Sequence, residues 1–257
     1  VLVSPMGIIG FMPPALLFPH REVAFIPSGT TYGLLQEDQA VRGHGVLALG
    51  DPDYRQMSDR GRRLPHVVDP SRLMPLPATR AEVEAVGTVR LLGGDAGEVS
   101  FRQALKLQMR WRAVHFACHG LVRRDLPVAA SLVLSAQEGS DGLLTTLELL
   151  GMEVPADLVV LSACDTARGE VYDIEGIQGL ARAFMYAGAP RVICSLWKVD
   201  DEATRALMVR FYELWNPDKD GGMSAAAALA RAQEHVRSQP RWEHPYYWAG
   251  WVLWGLP

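Results

Sequence analysis

Short aliphatic runs closed by small or polar residues alternate along this chain with stretches whose apolar residues recur every three or four positions. The first pattern is that of buried strands ending in loops, the second that of amphipathic helices. The clearest strand is Asp157-Leu-Val-Val-Leu-Ser-Ala-Cys164-Asp165-Thr166, aliphatic at first and then abruptly small and polar. Gly45 to Asp51, Val89 to Gly94, Ala113 to Gly120, Ser131 to Ser135 and Arg191 to Trp197 follow the same scheme, and His244 to Trp254 reads as a final aromatic strand. Residues 1–9 and 23–28 read as two short opening strands. Pro13 and Pro14 separate them, since Pro cannot serve a central ladder.

Helices are expected between these runs. Thr30 to Asp38 is suited to a short one. Thr79-Arg-Ala-Glu82 has the spacing of a capping box, with Thr79 as N-cap and Glu82 at N3, and opens a helix to about Val86. Glu98 to Met109 carries Phe101, Leu105 and Met109 four apart. Asp141 to Thr146 turns into a small helix, Leu147 to Leu150. Glu175 to Ala187 has the stripe Ile177, Leu180, Ala181 and Phe184 and stops at Gly188, a residue suited to the C′ position. Asp200 or Asp201 caps a helix running to Trp215, and Ser224 to Val236 is Ala-rich and helical. Residues 53–78 show no period and hold Pro65, Pro70, Pro75, Pro77 and the basic run Arg60, Arg62, Arg63. That stretch is a solvated excursion or a loop that contacts substrate. Residues 218–222 are a second loop. Strands alternating with helices predict an α/β fold, a mostly parallel central sheet with helices on both faces. No composition shift divides residues 1–257, which read as one domain.

Composition narrows the chemistry. A net charge of -4 offers no footprint for nucleic acid or an anionic membrane. The 3 cysteines, Cys118, Cys164 and Cys194, all lie in apolar runs, so a disulfide framework is not expected and a reducing cytoplasm is. No apolar run reaches the roughly 20 residues that span a bilayer. The start, Val1-Leu-Val-Ser-Pro5, has neither a Met nor a basic n-region; it reads as the inside of a strand, and the natural polypeptide is expected to continue upstream.

Reactive groups of open α/β sheets gather at the carboxyl ends of strands. Cys164 stands at such an end, and His119 ends an earlier strand. The pair reads as nucleophile and base, with backbone N–H groups of Gly120 and Cys164 as donors to the oxyanion. A backbone carbonyl would serve to orient His119, for no third acid is apparent. The plainer reading stays open, because a cysteine in an apolar strand is often a small core residue and a strand-end histidine a structural one. Cys118 and Cys194 fit the core role, and His115 fits the structural one. No Cys-x-x-Cys or His-Glu-x-x-His motif occurs, so zinc is not expected. Asp200 and Asp201 can hold a basic substrate side chain or cap a helix, and Asp165 joins them as a substrate-binding candidate.

The ordered set Val114-His-Phe-Ala-Cys-His119-Gly120, Asp141-Gly-Leu-Leu-Thr145, Leu158-Val-Val-Leu-Ser-Ala-Cys164-Asp-Thr166, Glu175 to Ala189, Ser195-Leu-Trp-Lys-Val-Asp-Asp201 and His244-Pro-Tyr-Tyr-Trp248 resembles the CHAT family, caspase-like cysteine peptidases related to separase. The resemblance spans most of the chain from Thr79 onward, and residues 1–50 match more loosely. It implies a caspase-type three-layer sandwich, a dyad of His119 and Cys164 with Gly120 as oxyanion donor, and peptide-bond hydrolysis without a cofactor. It implies an upstream region of tetratricopeptide-type repeats or another sensor. It also implies acids near the Trp-containing strand end that select a basic P1 residue, where Asp200 and Asp201 lie but Lys198 intrudes. The expectation is a cysteine endopeptidase acting on a partner protein and held inactive until that sensor acts. A silent scaffold of the same fold, or an acyl or thioester hydrolase, are the alternatives.

Overall fold

A computed structural model describes residues 1–37, 42–57, 73–121, 130–162, 164–165, 174–215 and 222–257. The basic run at 60–63, Thr166 and most of the loop expected at 218–222 lie outside them. Eight strands form the main sheet: β1 (Leu2–Val3), β2 (Ala24–Phe25), β3 (His44–Pro52), β4 (Val89–Gly93), β5 (Trp111–Ala117), β9 (Val159–Leu161), β11 (Arg191–Ser195) and β12 (Trp251–Gly255). Their order is β1-β2-β12-β11-β9-β5-β3-β4. Among the described residues of this sheet only the β11–β12 boundary is antiparallel. A second sheet of four short strands, β6 (His119–Leu121), β7 (Ser131–Val133), β8 (Leu143–Thr145) and β10 (Cys164–Asp165), runs in the order β10-β6-β7-β8.

Period-two alternation sends the main sheet's side chains into two cores. Val114, Phe116 and Cys118 join Leu47, Leu49, Val159 and Val192 on one face, under the helices Glu98–Leu105 and Ile174–Tyr186. Ala113 and Ala117 join Val46, Ala48, Val160 and Ile193 on the other, under the helices Pro77–Val86, Asp201–Leu214 and Ala225–Arg237. This is the expected three-layer α/β sandwich. Among the described residues no helix is long and apolar enough to cross a membrane.

Several expected elements shift for physical reasons. The helix after the long loop starts at Pro77 with Leu76 as N-cap and no side-chain cap, because Pro is pre-set for the first helical position. Thr79 and Glu82 therefore form no capping box. Thr79 Oγ1 instead donates to the Leu76 carbonyl (2.6 Å) and accepts from the Asp51 N–H (2.8 Å), and Glu82 is buried against His115. A capping box forms at Thr145 and Glu148, opening the helix Thr146–Leu150. The helix expected to reach Met109 ends at Leu105, and Met109 is 98% exposed. Gly188 does end its helix with φ 113, in the left-handed region that favours glycine. The aromatic strand starts at Trp251, later than expected, because Pro245–Tyr247 forms a 3-10 turn. Most consequentially, the runs Ala113–Gly120 and Asp157–Thr166 are not single strands. Each leaves the main sheet and re-forms pairing in the second.

Candidate active site

The strands β5 and β9 are neighbours, with His115 opposite Val160 and Phe116 opposite Leu161. Both leave the main sheet at their carboxyl ends, and the Ser162 N–H still reaches the Phe116 carbonyl at 2.8 Å. They then pair again as β6 and β10, in parallel, with His119 opposite Cys164 and Gly120 opposite Asp165. Partners are 45 positions apart both before and after the break, as in His115 with Val160 and His119 with Cys164. No register slip intervenes. The backbone at Cys164 therefore lies beside that at His119, at the roughly 4.8 Å spacing of adjacent strands.

His119 is 1% exposed. Its Nε2 lies 2.8 Å from the Met74 carbonyl oxygen. A carbonyl accepts only, so Nε2 carries the proton and, in the neutral ring, Nδ1 keeps a lone pair. The His119 backbone N–H donates to the Tyr54 hydroxyl at 3.3 Å, and the two rings lie 5.2 Å apart. Burial pushes the imidazole below its ordinary value; the Met74 carbonyl opposes this by favouring the charged ring, while the Lys198 ammonium adds to it. Tyr54 is itself buried, which raises its hydroxyl and keeps it protonated.

The other expected residues sit as follows. Gly120 is buried in β6 between β10 and β7, opposite Leu132 on the second side. Asp200 is the N-cap of the helix Asp201–Leu214, its Oδ1 accepting from the N–H groups of Glu202 (3.1 Å) and Ala203 (3.0 Å). Asp201 follows at the first helical position. Partial burial raises its carboxyl; Lys198 opposes the rise, and Asp200 and Glu82 add to it. His115 lies deep under the sheet, its Nε2 3.1 Å from Glu82 Oε1 and its Nδ1 3.3 Å from the Tyr212 hydroxyl. It belongs to a buried polar group with side chains of the helices Pro77–Val86 and Asp201–Leu214.

Sequence reasoning missed Tyr54 and Met74. Tyr54 follows Asp51-Pro52-Asp53 at the carboxyl end of β3, the point where strand order turns from β4 on one side to β5 on the other. Such a switch point marks binding crevices, but it is visible only in the strand order and not in the sequence. Met74 contributes a main-chain oxygen, which leaves no trace in residue type. The Asp51–Tyr54 turn is fixed from several sides: Arg80 pairs with Asp51 (2.9 Å), and the Ser135 hydroxyl accepts the Asp53 N–H (2.8 Å) and donates to the Gly93 carbonyl (2.7 Å).

The CHAT domain family model matches residues 2–256. Tetratricopeptide repeat protein 28 of Homo sapiens is 38% identical over 114 residues, 44% of this chain and 4% of that protein. The separase–securin complex of Saccharomyces cerevisiae superposes with a TM-score of 0.57 at 15% identity, covering 96% of this chain and 15% of the matched one. The cysteine proteinase gingipain R, described as Arg specific, gives a TM-score of 0.46 at 12% identity, covering 84% of this chain and 46% of that one.

Proposed function

The chain belongs to the CHAT domain family, whose fold is that of caspase-like cysteine peptidases, and from that premise we propose that it is a cysteine endopeptidase with Cys164 as nucleophile and His119 as base. The observation that carries this reading is the shared register of Cys164 and His119 on paired parallel strands.

In the proposed reaction the Cys164 thiol gives its proton to His119 Nδ1 as its sulfur bonds to the substrate carbonyl carbon. Backbone N–H groups of Gly120 and Cys164 receive the negative oxygen. The carbon–nitrogen bond then breaks, and Nδ1 returns the proton to the departing amine. A water molecule gives a proton to Nδ1 and attacks the thioester; the acid leaves, and the proton restores the thiol. The Met74 carbonyl supports both protonation states because Nε2 donates to it throughout. Burial and Lys198 disfavour the imidazolium, which favours the neutral ring as the proton acceptor. No cofactor takes part.

A basic P1 side chain would meet Asp201 and Asp165, with Asp200 holding the helix start beside them and Lys198 weakening the attraction. The relative named for tetratricopeptide repeats, of which the matched stretch spans 4%, supports an upstream repeat region; in the proposed function that region governs access to a partner protein, in a reducing cytoplasm. The test uses the full-length protein with a peptide library and candidate partners. Cleavage that is lost in Cys164→Ala and after iodoacetamide treatment is expected. Cleavage that persists in Cys164→Ala, or no cleavage of any sequence with the activator present, would leave a silent scaffold.

A further inference from the structure

A cleft of about 720 Å³ opens at the carboxyl ends of β3 and β4. Its walls are largely apolar: Pro52, the Tyr54 ring, Leu73 and Pro75. Among the described residues its acids are already paired, Asp51 with Arg80 at 2.9 Å and Asp53 with Arg55 at 2.7 Å, so those residues add little net charge. Gly94 also lines it, and a side chain placed there would meet open space. The cleft is joined to the imidazole twice. Tyr54 forms part of its wall and also holds the His119 N–H, and Pro75 follows Met74, whose carbonyl holds Nε2.

Strand order supplies a direction. Along the carboxyl edge the sequence is β11, β9, β5, β3, β4. Cys164 continues β9, His119 continues β5, and the cleft lies at the ends of β3 and β4, so His119 stands between Cys164 and the cleft. In the reaction above the acyl half stays on the sulfur, while the amine leaves past the imidazole that protonates it. The half of the substrate on the amine side therefore extends toward the cleft.

We propose that this cleft is the subsite for the primed side of the substrate, the residues following the cut, and that it takes a large uncharged apolar side chain such as Leu or Phe. The assignment rests on the peptidase reading of Cys164 and His119. It makes the enzyme selective on both sides of the scissile bond, with acids facing the P1 residue and an apolar, charge-balanced cleft facing the departing segment.

Full-length protein is assayed on internally quenched peptides that share one unprimed sequence and vary at the first three primed positions, alongside an aryl amide of the same unprimed sequence. A preference of about 10- to 100-fold in kcat/KM for Leu or Phe over Gly or Asp at one primed position is expected, the size of burying one such side chain. Gly94→Phe narrows the cleft and flattens that preference to within about twofold. A non-cleavable peptide bearing a benzophenone side chain at the preferred position crosslinks to the segments containing Tyr54 or Leu73–Pro75. Aryl amide hydrolysis with no primed preference overturns the subsite and leaves the peptidase standing. A preference that survives in folded Gly94→Phe, or crosslinks confined to other segments, overturns it as well. Hydrolysis of neither substrate type removes the peptidase reading and this one with it.

Discussion

Tyr54 offers a graded test of how His119 is held. Tyr54→Phe keeps the ring, and with it the 5.2 Å packing against the imidazole, and deletes only the hydroxyl. The lost hydrogen bond is long, 3.3 Å, so its own contribution is at the low end, about 0.5 kcal/mol. The larger effect is the loss of this acceptor from a buried N–H, which costs about 1–2 kcal/mol. For a domain of this size that lowers the melting temperature by about 2–8 °C. Tyr54→Ala also removes the ring, and truncations of buried aromatic residues cost about 3–5 kcal/mol. It leaves the imidazole without one wall, and a misplacement of about 1 Å costs about 100-fold in rate. Thermal and urea unfolding of both variants, with kcat/KM on one peptide, read the two contributions apart. Tyr54→Phe should fall less than tenfold in kcat/KM, and Tyr54→Ala about 100-fold or more. If Tyr54→Phe is as stable as the parent, or as inactive as Tyr54→Ala, the positioning argument is wrong.

Other consequences follow from the same geometry. Glu82→Leu strips the buried His115 of its carboxylate and should cost about 2–4 kcal/mol in urea unfolding, with His115→Phe in the same chain recovering most of it; a double variant as unstable as the single would contradict the pairing. Because burial and Lys198 hold His119 below its ordinary 6.5, kcat/KM should stay high down to that pH and fall only below it. Lys198→Gln should move the acid limb upward, and an unmoved or lowered limb counts against the assignment. Stability has the same sign: a depressed imidazole contributes fully above about pH 6.5 and loses that contribution as pH falls toward its folded value, which urea midpoints at several pH values check. In Gly250→Ala the new methyl carbon would stand 2.7 Å from the Trp197 indole, whose Nε1 donates to the Tyr246 carbonyl at 2.8 Å. A loss of about 1–3 kcal/mol with altered Trp fluorescence is expected, and an unchanged melting temperature would contradict that packing.

The layered fold was legible because its signals are local. The apolar runs of β3, β5 and β11 and the helical patterns of Ile174–Tyr186 and Ala225–Arg237 each need only a few neighbouring residues to read. The breaks after Ala117 and Leu161 were not legible, since both runs remain strand-like across the break and what changes is the sheet they join. Thr79 and Glu82 have the spacing of a cap, yet Pro77 already starts that helix and both side chains serve partners from other elements. Of the candidate site, the strand-end locations of His119 and Cys164 could be read, whereas the Met74 carbonyl and the Tyr54 hydroxyl on the backbone of His119 depend on tertiary contacts across 45 and 65 residues.

The most direct measurement of the central claim is site-resolved labelling of full-length protein with a peptidyl electrophile, read by mass spectrometry over Cys118, Cys164 and Cys194. The account predicts modification at Cys164, abolished in His119→Ala and unaffected in His115→Phe that remains folded. Labelling at Cys118 or Cys194 instead, or labelling at Cys164 that is indifferent to the loss of His119, would contradict it.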